Sequence, residues 1–291
     1  MSHLSWKIGD VRITRFSERE TLTKLTMLLP EATPEAIAPH ASWLSPHFLE
    51  SDGKAILSIH ALLIESQGQR ILVDTCMGEK VVKGFEMLGD GTSTVIDDMA
   101  AAGFAREQID LVLCTHLHLD HVGWNTMRQG ERWVPTFPNA RYLFARTEWE
   151  YWQKEKHLPF VATLDDTVKP VLDAGLADLI ETDHKINDEI WLEATPGHTP
   201  GHVSVQIRSR GERAMITGDM THHPIQWAEP QWKMFADTDA EQATRTRCRL
   251  IEEHANTPLL VIGTHYPPPC AGHLVRDEDG CRFEATEGAA S

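Results

Sequence analysis

Short apolar runs, each closed by a turn or by an acid or a histidine, set the rhythm of the chain. Trp6 to Phe16 alternates apolar and polar residues, which predicts an opening strand. Ala55 to Ile64 and Gln69 to Val73 are two further strand patterns, and Ser66-Gln67-Gly68 between them is a hairpin signal. Ile109 to Cys114 is short and nearly continuously apolar, as a buried strand is. Arg141 to Ala145, Ile190 to Ala194, Val203 to Ile207, Arg213 to Thr217 and Leu259 to Ile262 repeat the pattern. Helical spacing is predicted between them: Ser93 to Gly103, Thr147 to Lys156 with Trp149 and Trp152 as packing residues, Asp165 to Ala174 broken near Pro170, and Ala240 to His254. Thr21 to Leu49 breaks the rhythm. Its four prolines, Pro30, Pro34, Pro39 and Pro46, punctuate a segment too apolar for a disordered tail. Two uses are open for this arm at about residues 20–50, a lid over a site elsewhere or the contact of a homodimer.

Composition narrows the function classes. The 291 residues carry 43 acidic against 27 Lys and Arg side chains, a formal net charge of -16, which argues against DNA or RNA as partner because nucleic-acid binding draws on neutralised phosphates. With 41% hydrophobic residues a sizeable core is expected. The five cysteines are odd in number and lack framework spacing, which suits a reducing compartment. No stretch approaches the roughly 20 apolar residues of a spanning helix, and Met1 to Asp10 lacks a signal-peptide core. A soluble, cytoplasmic protein without membrane or nucleic-acid partners is expected.

The candidate chemistry sits where the apolar runs end. Thr115-His116-Leu117-His118-Leu119-Asp120-His121 follows the Ile109 to Cys114 run. In extended chain His116 and His118 face the same way and can grip one ion, while Asp120 and His121 fall on the turn and can face a second. Packing several imidazoles with a carboxylate is costly unless a cation compensates. Thr195-Pro196-Gly197-His198-Thr199-Pro200-Gly201-His202 is the second loaded stretch: its Pro-Gly pairs put His198 on an exposed loop, and His202 enters the next strand as a buried structural residue. Gly218-Asp219 and Gly263-Thr264-His265 close two later strands. Asp74, after Val73, is either a turn cap or a site residue.

Together, Val73-Asp74-Thr75, the Thr115 to His121 motif, Pro196-Gly197-His198, Thr217-Gly218-Asp219 and Gly263-Thr264-His265 resemble the metallo-β-lactamase superfamily over roughly residues 55–270. The resemblance implies an α/β (α+β) fold, a four-layer αββα sandwich, with residues 1–291 as one domain. It also implies a binuclear centre: His116, His118 and His198 on one divalent ion, Asp120, His121 and His265 on the other, and Asp219 bridging. Asp74 would support the ligands from behind. Cys76 stands where the commonest pattern has Gly, and is expected to be a small core residue. The stretches Gly218 to Trp227 and Phe235 to Asp239 look more like the methyl parathion hydrolase group. Acyl-homoserine lactonases share the ligand set but carry Tyr where this chain has His222.

The implied activity is metal-dependent hydrolysis of a lactone, ester or phosphotriester of a small, hydrophobic molecule. Zinc is the default metal for nitrogen and carboxylate ligands, with Mn, Fe and Co also suited. Two ions can generate and hold a hydroxide between them and polarise the bond under attack. Asp219 would position that hydroxide, Asp120 would help hold the ion facing the developing oxyanion, and His222 would protonate the leaving group. Trp124, Trp227, Trp232 and Phe235 are candidates for an apolar pocket wall or for core. Two rivals are an iron-containing redox enzyme, disfavoured because no carboxylate replaces a histidine, and a non-catalytic metal-binding protein, disfavoured by the complete ligand set.

Overall fold

The computed structural model describes residues 3–83, 88–155, 159–278 and 280–290. Its strands in chain order are β1 (Leu4–Ile8), β2 (Val11–Thr23), β3 (Ala55–Ser66), β4 (Gln69–Val73), β5 (Leu111–Leu113), β6 (Thr126–Gln129), β7 (Arg132–Pro135), β8 (Arg141–Ala145), β9 (Ala177–Ile180), β10 (Ile190–Ala194), β11 (Val203–Ser209), β12 (Glu212–Ile216), β13 (Leu260–Ile262), β14 (Ala271–Asp277), β15 (Gly280–Ala285) and β16 (Ala289–Ala290). One sheet has the order β16-β1-β2-β3-β4-β5-β8-β9 and the other β10-β11-β12-β13-β14-β15, with β6-β7 a separate hairpin.

Side-chain alternation separates the layers. Along β4, Ile71 and Val73 enter the apolar cluster between the sheets while Leu72 faces outward. Leu113 and Leu143 likewise face inward, and Val112, Tyr142 and Phe144 outward. Opposite them Val203, Val205, Ile207, Ile216 and Ile262 complete the inner cluster. The outer face of the first sheet is covered by Val95, Met99, Trp149, Trp152 and Val171 of its helices. Met215 and Val261, on the outer face of the second, meet Leu250 and Ile251 of the helix Ala240–His254. The result is the expected αββα sandwich.

Two expectations are corrected. The opening run is a hairpin, not one strand: Gly9, at φ +58°, turns the chain so that Ile8 pairs with Val11. A side chain at Gly9 would meet Ser209 O at 2.5 Å, so this turn also needs the missing Cβ. The arm starts later than Thr21, because β2 stays paired to β3 up to Thr23 opposite Ala55. Its apolar residues Leu25, Leu29, Leu44 and Phe48 are buried in the cluster that contains Leu250 and Tyr266, which accounts for its composition. The helix expected over Asp165 to Ala174 with a break near Pro170 is indeed two pieces, Leu164–Thr167 and Lys169–Asp173, with the break at Val168. The predicted helix at Thr147 runs from Arg146 to Trp152, and its expected end, Lys156, lies outside the described residues. No described helix is long and apolar enough to cross a membrane.

Candidate metal centre

Strand direction assembles the centre. β4 and β5 run parallel, as do β12 and β13, so each pair delivers its following residues to one edge of its sheet. Asp74 follows β4, His116 follows β5, Asp219 follows β12 and His265 follows β13. Backbone bonds tie the two edges: Val203 N–H donates to Thr115 O at 3.0 Å, and Ser58 N–H to His265 O at 3.0 Å. The short helix Leu119–Val122 then carries Asp120 and His121.

Ligand-capable atoms of His116, His118, His198 and Asp219 lie within 4.8 Å of one another, and so do those of Asp120, His121 and His265. Asp219 Oδ2 joins the sets, 3.7 Å from His116 Nε2, 3.6 Å from His198 Nε2, and 3.2 Å from both His121 Nε2 and His265 Nε2. All seven residues singled out in the sequence therefore meet. His222 joins them, with Nε2 3.1 Å from Asp219 Oδ2 and its ring stacked on His265.

The donor set suits divalent cations. His116 Nε2, His121 Nε2 and Asp219 Oδ1 are buried without a hydrogen-bond partner, a costly arrangement that a cation would relieve. Burial and neighbouring imidazoles hold His116, His118 and His198 well below the ordinary histidine pKa, leaving neutral nitrogen donors. Burial also opposes charge on His121 and His265, but Asp219 and nearby carboxylates outweigh it. They raise His121 well above its ordinary value and His265 to about 9. Around Asp219 burial is likewise outweighed, here by His121, His265, His222 and His116, so its carboxyl stays ionised. The carboxylates that raise these two rings would equally favour a divalent cation between them.

The rings are aimed from behind. His121 Nδ1 lies 2.8 Å from Asp74 Oδ2, and Asp74 also accepts Thr115 N–H, so Asp74 is a site residue rather than a turn cap. His116 Nδ1–H donates to Thr115 Oγ1 at 3.1 Å, and His265 Nδ1–H to Ser58 O at 2.8 Å. His202 is buried as expected, and its Nε2 accepts Asp219 N–H at 2.8 Å. Cys76 is a buried thiol, pushed up by desolvation, at φ +54°, in the left-handed backbone that favours Gly.

Sequence reasoning missed Glu148. This buried carboxylate accepts N–H donors from Leu117 and Gly201, and Trp152 Nε1–H at 2.6 Å, so it clamps both histidine loops together. It sits in an ordinary helical pattern, and nothing in the sequence marks it. Of the two alternatives open for the aromatic residues, three take the core: Trp227 is fully buried and Trp124 and Trp232 nearly so, all within core clusters, whereas Phe235 is 60% exposed.

Residues 56–265 match the metallo-beta-lactamase superfamily. Among curated proteins, an N-acyl homoserine lactonase of Bacillus cereus is 26% identical over 240 residues, covering 78% of this chain and 85% of its own. N-acyl homoserine lactonase AttM of Agrobacterium fabrum is 27% identical over 179 residues, 59% of this chain and 64% of its own. The fold is similar to that of AidC, a dizinc quorum-quenching lactonase in complex with a product, with TM-score 0.82, 22% identity and 99% of each chain covered. It is also similar to the hydrolase AbOPH, with TM-score 0.81, 24% identity and 99% and 98% covered. With well over half of its length matched and the strand-end residues in place, the chain belongs to the metallo-beta-lactamase superfamily.

Proposed function

We propose that this protein is a hydrolase with two divalent metal ions that opens the lactone ring of a small, hydrophobic molecule, N-acyl homoserine lactones being the leading class. The observation that carries the reading is the convergence of seven ligand residues in two sets on Asp219. Relatives named as N-acyl homoserine lactonases support the substrate class. In this reading His116, His118 and His198 would hold one ion, Asp120, His121 and His265 the other, and Asp219 would serve both sets. Zinc is the metal best matched to the donors. Bound there, such ions supply hydroxide near neutral pH and polarise the carbonyl under attack.

The protein's own groups then divide the work. Asp219 Oδ1, buried and without a partner, is placed to take the proton of the attacking water. His222 Nε2 stands 3.1 Å from the other oxygen of that carboxylate, so the proton taken from water can pass from Asp219 to His222 and on to the departing alkoxide, and the ring opens to a hydroxy acid. Residues 1–291 act as one domain, with the arm sharing its core. Five unpaired cysteines, four of them buried, support a cytoplasmic setting.

A panel of lactones, aryl esters, β-lactams and phosphotriesters, assayed with the metal-reconstituted protein, tests the substrate. Lactone opening is expected to dominate, and turnover of phosphotriesters without lactones would overturn it. Asp219→Asn is expected to lower kcat by at least about 100-fold with fold intact. Full turnover by that variant with both ions in place would remove Asp219 from the mechanism.

A further inference from the structure

His198, one of the three proposed ligands of its ion, leans on a carboxylate. Its Nδ1 lies 3.0 Å from Oδ1 of Asp237, a side chain with 0% exposure. The same short segment grips the histidine loop by its backbone: Thr238 N–H donates to His198 O and Asp239 N–H to Gly197 O, each at 2.9 Å. With Nδ1–H donated to Asp237, the lone pair of Nε2 faces inward, where His118 Nδ1 is 2.9 Å away and Asp219 Oδ2 3.6 Å. The tautomer that a metal ligand needs is the one this contact selects.

Asp237 is itself anchored. Its Oδ2 accepts Met234 N–H at 3.2 Å and lies 3.8 Å from Nη1 of Arg247, also fully buried. Arg247 projects from the helix Ala240–His254 and donates to the carbonyls of Pro230, Met220 and Trp232. A buried guanidinium held by carbonyls needs a negative partner, and Asp237 supplies it. The pair therefore spans from the residue after Asp219 to the back of His198. The other set has a counterpart, because His121 leans on Asp74. Each half of the centre thus contains one histidine backed by a buried carboxylate.

We propose that Asp237, anchored by Arg247, is the positioning residue that fixes the ring of His198 and sets the grip of the His116, His118 and His198 half on its ion. The inference rests on the metal centre proposed above. It assigns Asp237 no contact with substrate.

The test follows release of the two ions to a chelator from wild type, Asp237→Ala and Asp237→Asn, with visible spectra of the cobalt-substituted proteins. In Asp237→Ala one of the two ions is expected to leave about 10- to 100-fold faster, with the spectrum of one half altered and the other ion leaving at the wild-type rate. Asp237→Asn, which keeps an oxygen acceptor but not the charge, is expected to fall between. Wild-type release of both ions from both variants, with unchanged spectra, would overturn the proposal, and so would equal acceleration of both ions. If Asp237→Ala does not fold, the near-isosteric Asn variant decides by the same criteria. A wild-type protein that binds no ion would instead overturn the metal centre itself.

Discussion

His222 shows what a single side chain can and cannot reveal. In the sequence it is one histidine of sixteen; in the fold it packs against His198 and His265 and reaches Asp219, with both ring nitrogens buried and unpartnered. If it supplies the leaving-group proton, His222→Gln lowers kcat about 100-fold while both ions are retained, as steady-state kinetics beside metal analysis would show. Unchanged kcat would assign the ring to packing. The seven proposed ligand residues drew notice because His116, His198, Asp219 and His265 follow apolar runs and because four of the seven crowd into one heptad. Asp237, Glu148 and Ser58 were not, because their partners are distant: Asp237 lies 39 residues from His198, and Ser58 lies 207 from His265. A buried acid beside a distant histidine leaves no local pattern.

Strands and their ends carry most of the specification. Central strands such as β4 and β12 were legible because they end in apolar runs, Ile71 to Val73 and Ala214 to Ile216, buried on both faces, and β11 because Val203, Val205 and Ile207 alternate with polar residues. β15 is the edge strand of its sheet and β14 its neighbour, and they carry His273, Arg276 and Arg282, so they show no such run. The loop after β10 depends on close approach. A Cβ at Gly197, where φ is +136°, would lie 2.2 Å from Ala243 N of the long helix, and the next residue is His198. Gly197→Ala is therefore expected to destabilise the fold by about 3 kcal/mol or more. Gly211→Ala is the control: φ there is +87° but the space is open, so only the backbone penalty of about 1–2 kcal/mol applies. Denaturant midpoints measure both, and equal losses would show that packing on Ala243 is not the constraint.

Joining the arm to the rest of the molecule introduces a pH dependence. Buried His223 donates Nε2–H to Phe48 O at 3.1 Å and accepts Ile225 N–H at Nδ1, so the fold holds it neutral. Burial lowers its pKa from 6.5 to about 4, the bond to Phe48 opposing only in part. The unfolded chain takes up this proton first on acidification, so the contribution is complete above pH 6.5 and is lost as pH falls towards 4. The loss amounts to about 3 kcal/mol. The stability difference between wild type and His223→Asn, measured by denaturation across that window, should shrink as pH falls; a constant difference would rule the linkage out. By itself the sequence determined the strand runs, the acidic net charge and which histidines and acids stand at the strand ends, since periodicity and residue chemistry are local properties. Only the tertiary structure decided that Trp227 is core, that the arm is packed rather than free, and that Asp237 and Glu148 brace the histidine loops. Those outcomes depend on which distant elements share a face, and no local pattern records that.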